Sequence, residues 1–275
     1  SFTNGLTVLS EDYQILKEFE HDSNNKSSLS ANGITNIFED SDGDIWIATY
    51  AAGLNRLNKD ENSFIHYRSG NNPNQLNSDS ILQIIEDDEG YIWLATDGGG
   101  ISRLDKNTNE IINLNNEAGV KMSLSSNSIL SIYQDRRGRF WIGTEGQGLN
   151  RWEPEDRRNL RSTFRQYTIS DGLPSSTVNG VLEDEQGYIW ISTNKGVSRL
   201  DPETDQLKNY NLAMGIHENE LNQGSMLKAS DGRLYFGGLN GISAFYPNEI
   251  TSNLNKPSVV LTDILSENKS INANK

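Results

Sequence analysis

The chain has 275 residues, of which 34% are apolar and 23% are charged, as is ordinary for a globular domain, so extensive disorder is not expected. Its net charge of −14 argues against a nucleic-acid partner and against direct membrane contact, because nucleic acids and anionic lipid surfaces both bind basic surfaces. The absence of cysteine excludes disulfides and thiol chemistry but leaves the cellular compartment open.

One sequence pattern recurs along the chain with a nearly fixed period. Its anchor aromatic residue falls at Trp46, Trp93, Trp141, Trp190 and Tyr235. Successive anchors are 47, 48, 49 and 45 residues apart. A period in this range is typical of repeat arrays and propellers.

The predicted strands follow this repeat from the N-terminal end onwards. Residues 5–19 match the third and fourth strands of a unit whose first two strands are missing. Further units are predicted near residues 34–67, 81–114, 129–167, 178–210 and 223–247. The last of these has three predicted strands, up to Phe245, and its fourth would have to come from elsewhere.

Each complete unit is predicted to form a four-stranded antiparallel meander. In the first, "ITNIFED", "DIWIATY", "LNRLN" and "SFIHYR" are strand-like segments separated by short polar or glycine-containing turns. Turns this short require antiparallel pairing. A sheet that is apolar on both faces must be covered on both, and radial stacking achieves this.

The sequence therefore predicts an all-β fold, a β-propeller of four-stranded antiparallel blades that spans residues 1–250. About five to six blades are represented, so we expect an incomplete or fragment propeller. Open blade edges offer unpaired backbone groups, and we expect self-association through them. The opening at Ser1 and the lack of a signal peptide indicate a piece of a longer protein.

The repeat resembles a known family. The pattern I-x-x-I-x-E-D-x-x-G-x-I-W-I-x-T-x-x-x-G-L-x-R-L is similar to the two-component regulator propeller repeat, and four copies match in phase. "DGRLYFGGLNGISAFYPNEI" (231–250) resembles the closing repeat of that family. "KPSVVLTDILSENKSI" (256–271) resembles the opening strand of its immunoglobulin-like domain, so residues 256–275 are expected to begin that domain or to form a closing strand.

The resemblance implies a sensor region on the periplasmic or extracellular side of a bacterial inner-membrane protein. In that family the output module is commonly a histidine kinase and in some bacteria a diguanylate cyclase. Its best-known kinase members in gut bacteria sense oligosaccharides. The resemblance thus favours a non-enzymatic, ligand-sensing domain that binds a small molecule or an oligosaccharide.

Candidate binding residues lie in the turns that follow the second strand of each unit. These turns share one face of a propeller with the longer loops that lead into each first strand, and the loops are rich in Asn, Ser, Gln and Asp. Such side chains can hydrogen-bond to sugar hydroxyls, although they are also common turn formers. The candidates are Tyr50, Asp97, Glu145, Asn194 and Asn240.

No motif indicates catalysis, a cofactor or a metal. The acidic run "EDSDGD" (39–44) begins like a calcium loop but lacks its spaced ligands, so a turn-closing Asp is the favoured interpretation. His21, His66 and His217 lack metal-ligand spacing, and packing is favoured for His66. Two alternatives to a sensor stay open, a carbohydrate-active propeller lyase or hydrolase and a protein-interaction scaffold.

Overall fold

The computed structural model describes residues 3–58, 62–120, 123–210 and 221–250, together with two short paired strands near the C-terminal end. Regular structure in these residues is almost entirely β-strand.

The strands form successive sheets in chain order. The first sheet comprises β1 (Leu6–Leu9) and β2 (Ile15–Phe19). The second comprises β3 (Ile34–Glu39), β4 (Ile45–Thr49), β5 (Leu54–Asn58) and β6 (Ser63–Tyr67). The third comprises β7 (Ile81–Glu86), β8 (Ile92–Thr96), β9 (Ile101–Leu104) and β10 (Ile111–Leu114).

The remaining sheets continue the same order. The fourth comprises β11 (Ile129–Gln134), β12 (Phe140–Thr144), β13 (Leu149–Trp152) and β14 (Phe164–Tyr167). The fifth comprises β15 (Val178–Glu183), β16 (Ile189–Thr193), β17 (Gly196–Asp201) and β18 (Gln206–Tyr210). The sixth comprises β19 (Leu221–Lys228), β20 (Leu234–Gly238) and β21 (Gly241–Phe245).

Within the described ranges, helical structure is confined to short segments. The helix α1 (Pro154–Arg158) lies between β13 and β14, and single 3₁₀ turns occupy Ile169–Asp171 and Pro247–Glu249. A last pair of strands comprises β22 (Leu265–Ser266) and β23 (Lys269–Ser270). No helix in the described part of the chain is long and apolar enough to cross a membrane.

The sheets fan around a common axis, so the predicted all-β propeller is confirmed. Within each sheet the strands pair antiparallel and in sequence order. The first strands β3, β7, β11, β15 and β19 pack side by side from one sheet to the next, which makes them the innermost strands. Four blades have four strands, whereas the first sheet has two and the sixth has three among the described residues. Apolar side chains of the first sheet, among them Ile15 and Leu16, are exposed, and self-association through this end stays a prediction.

The core lies between neighbouring blades. Trp46, from β4, packs with Ile81, Ile84 and Leu94 of the next blade, and the other repeat tryptophans do the same one blade further on. All four are at most 1% exposed. Aromatic side chains of this size remove a large apolar area from water, so each tryptophan makes a large contribution to its interface.

Each tryptophan is tied to an aspartate six residues before it. The indole Nε1 donates to Asp40, Asp87, Asp135 or Asp184 at 2.7–2.9 Å. The other carboxylate oxygen accepts two backbone N–H groups of the turn, as in Asp40 with Asp42 and Asp44. The acidic run therefore forms a turn whose aspartate holds the tryptophan, as expected for a turn-closing Asp. In the sixth sheet both partners change together, to Ala229 and Tyr235.

The predicted domain that begins at residue 256 lies outside the described residues, apart from the backbone of β22 and β23. An immunoglobulin-like domain there stays a prediction.

Candidate ligand-binding site

One face of the propeller carries the turns after each second strand and the loops that lead into each first strand. We call it the loop face. The opposite face carries the turns after each first and third strand, and we call it the turn face.

Neighbouring blades are joined at the loop face by backbone hydrogen bonds. Gly53 N donates to Asp79 O at 2.8 Å, and Gly148 N donates to Ser176 O at 2.6 Å. These glycines have positive φ, 73° and 79°, and an added Cβ would lie 2.3 Å or less from a backbone oxygen, so only glycine fits.

A cavity of about 540 Å³ lies on the axis between the innermost strands, with Tyr50 of the loop face in its wall. We call it the axial cavity. Its walls come from β3, β7 and β19, three strands far apart in sequence. It is lined by Ile34, Thr35, Asn36, Tyr50, Leu82, Gln83, Gln223, Gly224 and Met226.

Two amide side chains of the axial cavity are oriented by the neighbouring blade. Asn36 Oδ1 accepts the backbone N–H of Ile84 at 3.2 Å, and Gln83 Oε1 accepts that of Ile132 at 2.9 Å. Because only the oxygen can accept, each NH₂ group is turned away from its backbone partner. Neither NH₂ meets a hydrogen-bond partner among the residues that the structure describes, so both are available as donors.

The cavity also offers an acceptor, an aromatic ring and apolar surface. Gln223 Nε2 donates to Leu130 O at 3.3 Å, which leaves its Oε1 as an acceptor. Tyr50 is 56% exposed, and Met226 and Leu82 add apolar wall. No lining residue carries a charge. This arrangement suits a neutral ligand that both donates and accepts hydrogen bonds and presents some C–H surface.

Of the five candidate residues predicted from the sequence, only Tyr50 lines the axial cavity. Asp97 accepts from Ser128 Oγ at 2.6 Å, which ties its turn to the loop before β11, and Asn194 accepts from Asn179 Nδ2 at 2.7 Å, which ties its turn to β15. Glu145 and Asn240 are exposed at equivalent turns. Their role in binding stays a prediction.

Sequence reasoning missed Asn36 and Gln83. A signal exists, because both occupy the third position of an innermost strand, where the other four-stranded blades have Ser131 and Gly180 and the sixth sheet has Gln223. In the four-stranded blades the register shifts just before this position, so a β-bulge turns these residues relative to regular alternation.

The structure places two of the histidines near each other. His21 and His66 lie far apart in sequence but line one pocket of about 430 Å³. His66 was expected to serve in packing; its ring is half-buried, and its Nε2 lies 2.8 Å from the carbonyl oxygen of Ser28. No group of three or more potential ligands that could hold a metal occurs among the described residues.

A cluster of one lysine and several carboxylates lies at the turn face. Lys106 Nζ contacts Glu86 Oε1 at 2.7 Å and Asp42 Oδ2 at 2.6 Å. Burial opposes ionisation of Glu86, but bonds from Lys106 and Ser41 outweigh it and hold the pKa of this carboxyl below its usual range. Asp40 behaves alike: burial opposes its charge, whereas the Trp46 indole, turn N–H groups and Lys106 lower its pKa. These shifts belong to blade contacts and not to the axial cavity.

The family comparison supports the repeat seen in the fold. The model described as "Two component regulator propeller" matches residues 28–51, 75–98, 123–146 and 172–195. Each match covers the end of one loop of the loop face and the first two strands of the following blade.

Solved structures with the same fold include two extracellular domains of putative hybrid two-component systems from B. thetaiotaomicron. One is 26% identical with a TM-score of 0.74, and the match covers 90% of this chain and 31% of the solved chain. The other is 25% identical with a TM-score of 0.63, and the match covers 90% of this chain and 40% of the solved chain. Virginiamycin B lyase from Staphylococcus aureus, 14% identical with a TM-score of 0.60, shares the fold alone.

A histidine kinase from Formosa agariphila is 34% identical over 110 residues, which are 40% of this chain and 8% of the kinase. The chain thus spans well under half the length of the kinase and of the two extracellular domains. Four matched repeats, in phase on a propeller, identify the chain as a member of the two-component regulator propeller family.

Proposed function

We propose that this chain is the extracytoplasmic ligand-sensing propeller of a transmembrane signalling protein, of the sensor histidine kinase type or the diguanylate cyclase type. The similarity to extracellular domains of putative hybrid two-component systems and to a histidine kinase supports this proposal. On this proposal the propeller lies on the periplasmic or extracellular side of the membrane, and the chain itself binds and does not catalyse.

The axial cavity is the observation that carries the proposal. It has outward-turned amide donors at Asn36 and Gln83, an acceptor at Gln223 and an aromatic side chain at Tyr50. A neutral oligosaccharide has matching hydroxyl groups and apolar ring faces. The cavity, at about 540 Å³, is large enough for a small sugar unit.

A ligand in the axial cavity would affect signalling because the walls of this cavity come from three different sheets. A ligand that bonds to β3, β7 and β19 at once ties the second, third and sixth sheets together across the axis. It therefore favours the arrangement in which these strands are correctly spaced, by as much as its affinities for the two arrangements differ. The residues after the propeller would pass this change toward the membrane.

Isosteric substitutions test the site. Gln83→Glu and Asn36→Asp keep an oxygen for the backbone N–H groups of Ile132 and Ile84 and remove the NH₂ donors. Titration calorimetry with neutral di- to tetrasaccharides should show at least tenfold weaker binding in each variant. Gln186→Glu, the same amide-to-acid change on an exposed turn of the turn face, is the matched control and should bind as the unchanged protein does. Equal affinity in all of these proteins would remove the axial cavity as the site.

If the chain is an enzyme, incubation of the protein with the same oligosaccharides should give a different result. A sensor releases every labelled oligosaccharide intact, whereas a lyase or hydrolase yields shorter products. Product formation that stops in Gln83→Glu would establish catalysis at this cavity instead. Capture of a protein partner that does not compete with sugar would favour the interaction-scaffold alternative.

A further inference from the structure

The pocket that contains His21 and His66 is a second feature of the loop face. It lies beside the loop of residues 21–30 in the first complete blade and shares no lining residue with the axial cavity. Its ionisable lining residues are His21, Asp22, Lys26, His66 and Arg68. Two of the three histidines in the sequence are thus brought together at one site.

Both rings are held by consecutive carbonyl groups of the same loop. His21 Nδ1 contacts Leu29 O at 2.8 Å, and His66 Nε2 contacts Ser28 O at 2.8 Å. A carbonyl oxygen only accepts, so both of these nitrogens carry hydrogen. In the neutral rings the remaining nitrogens, His21 Nε2 and His66 Nδ1, have free lone pairs and are where a second proton binds.

Other blades make the same two contacts without histidine. At the position of His66, Asn113 Nδ2 donates to Gln75 O at 2.8 Å and Asn209 Nδ2 to Gly172 O at 2.9 Å. At the position of His21, Asn116 Nδ2 donates to Leu124 O at 2.5 Å. Anchoring the loop therefore needs only an amide. What histidine adds in this blade is a second ring nitrogen whose charge changes with pH.

The charges around the rings favour an anion. Lys26 makes no ion pair with any residue that the structure describes, and Arg68 bonds Ala52 O at 2.8 Å and Asp79 Oδ2 at 3.2 Å. The one carboxylate in the lining, Asp22, is engaged within the loop, where it accepts the backbone N–H of Asn24 at 2.9 Å. Protonation of the two rings would add two positive charges to this pocket in a chain of net charge −14.

We propose that the His21–His66 pocket binds the carboxylate or sulfate group of a small anionic ligand, and binds it more tightly as pH falls. The loop carbonyls keep both rings in place in either protonation state. Protonation turns the two free nitrogens into hydrogen-bond donors beside Lys26. The anion then meets positioned, charged donors, which bind it more strongly than neutral donors do.

Three probes that share a sugar ring test the proposal. Glucuronate and glucose 6-sulfate stay ionised throughout the range, and glucose is their neutral counterpart. Calorimetry at pH 5.5 and pH 8.0 should show about fivefold tighter binding of a charged probe at the lower pH for each ring that becomes charged. The probe that binds more tightly identifies the group as carboxylate or sulfate. In the Gln83→Glu protein, whose axial cavity no longer contributes, glucose binding as tightly as both charged probes, or charged-probe affinity that is constant with pH, would overturn the proposal.

The asparagines of the other blades supply the control variants. His21→Asn and His66→Asn should keep the loop anchored, as Asn116 and Asn113 do, and the double variant should lose the pH dependence. Lys26→Met should weaken charged probes at both pH values and keep the dependence on pH. A double variant that folds and still binds more tightly at pH 5.5 contradicts the proposal. Gln83→Glu should leave this pocket unaffected, so failure here and failure of the axial cavity can be told apart.

Discussion

The two faces of this propeller are built from the same repeat but use their polar groups differently. At the turn face, Asp87 accepts the Trp93 indole at 2.7 Å and two backbone N–H groups, and it also pairs with Arg157 of the next blade. At the loop face, the NH₂ groups of Asn36 and Gln83 are left for a partner from outside. The turn-face carboxylate thus has its partners within the protein, whereas the two amides of the axial cavity keep donors for a ligand.

The largest expected effect comes from breaking a turn-face carboxylate. Asp87→Ala removes the partner of the Trp93 indole and leaves Arg157, whose side chain is 1% exposed, without one of its two carboxylates. Removing one partner of a buried ion pair costs about 3–5 kcal/mol. We expect a loss of unfolding free energy in this range from urea denaturation.

Asp184→Ala is the matched comparison. Asp184 makes the same bonds to the Trp190 indole and to its turn but has no arginine on its carboxylate. Its loss should cost about 1–3 kcal/mol, the penalty for unpaired buried polar groups. Equal losses for the two variants would show that Arg157 adds nothing.

A smaller effect is expected from Lys106→Met. This removes the cation between Glu86 and Asp42 and should cost about 1–3 kcal/mol at pH 7. Glu86 and Asp40 have pKa values held below their ordinary 4.5 and 3.8. A lowered pKa stabilises the fold above the ordinary value, and this contribution is lost as pH falls through the folded-state pKa.

The cost of Lys106→Met should therefore shrink as pH falls below about 4. Urea denaturation of both proteins between pH 3 and pH 7 measures this difference. A cost that does not change across the range would mean that the two carboxylates gain nothing from the lysine.

The smallest effect distinguishes the hydroxyls of the two faces. Tyr67 Oη donates to Asn109 Oδ1 at 2.6 Å across a blade interface, so Tyr67→Phe should cost about 1 kcal/mol. Tyr50 Oη has no partner among the described residues, so Tyr50→Phe should change stability by less than about 0.5 kcal/mol. Thermal unfolding of both variants checks the contrast, and a larger loss for Tyr50→Phe would reverse it.

How far the sequence could predict this molecule differs between the frame and the site. The strands of a blade are adjacent in sequence, so alternation, turn glycines and the phased tryptophans were enough to predict a meander and its radial stacking. The paired Asp and Trp could also have been read, because Ala229 and Tyr235 depart from the pattern together. These features depend on residues that are close together in the sequence.

The axial cavity and the histidine pocket depend on how distant segments meet. Asn36 and Gln223 share a wall although 187 residues separate them, and His21 meets His66 only because the loop folds back over β6. The register of β19 jumps from Leu221 to Met226, a bulge that no alternation pattern reveals. Tyr50 was found because topology alone assigns its turn to the loop face, whereas the cavity residues on β7 and β19 come from other blades and could not be assigned in this way.

Each sheet pairs its strands in sequence order and packs chiefly against the sheets on either side, so most contacts lie within one repeat or between neighbouring repeats. Folding can therefore nucleate in any repeat and propagate to the adjacent one. Gene duplication can add a repeat that uses the same kind of interface, and each added repeat brings one more loop on which selection can act.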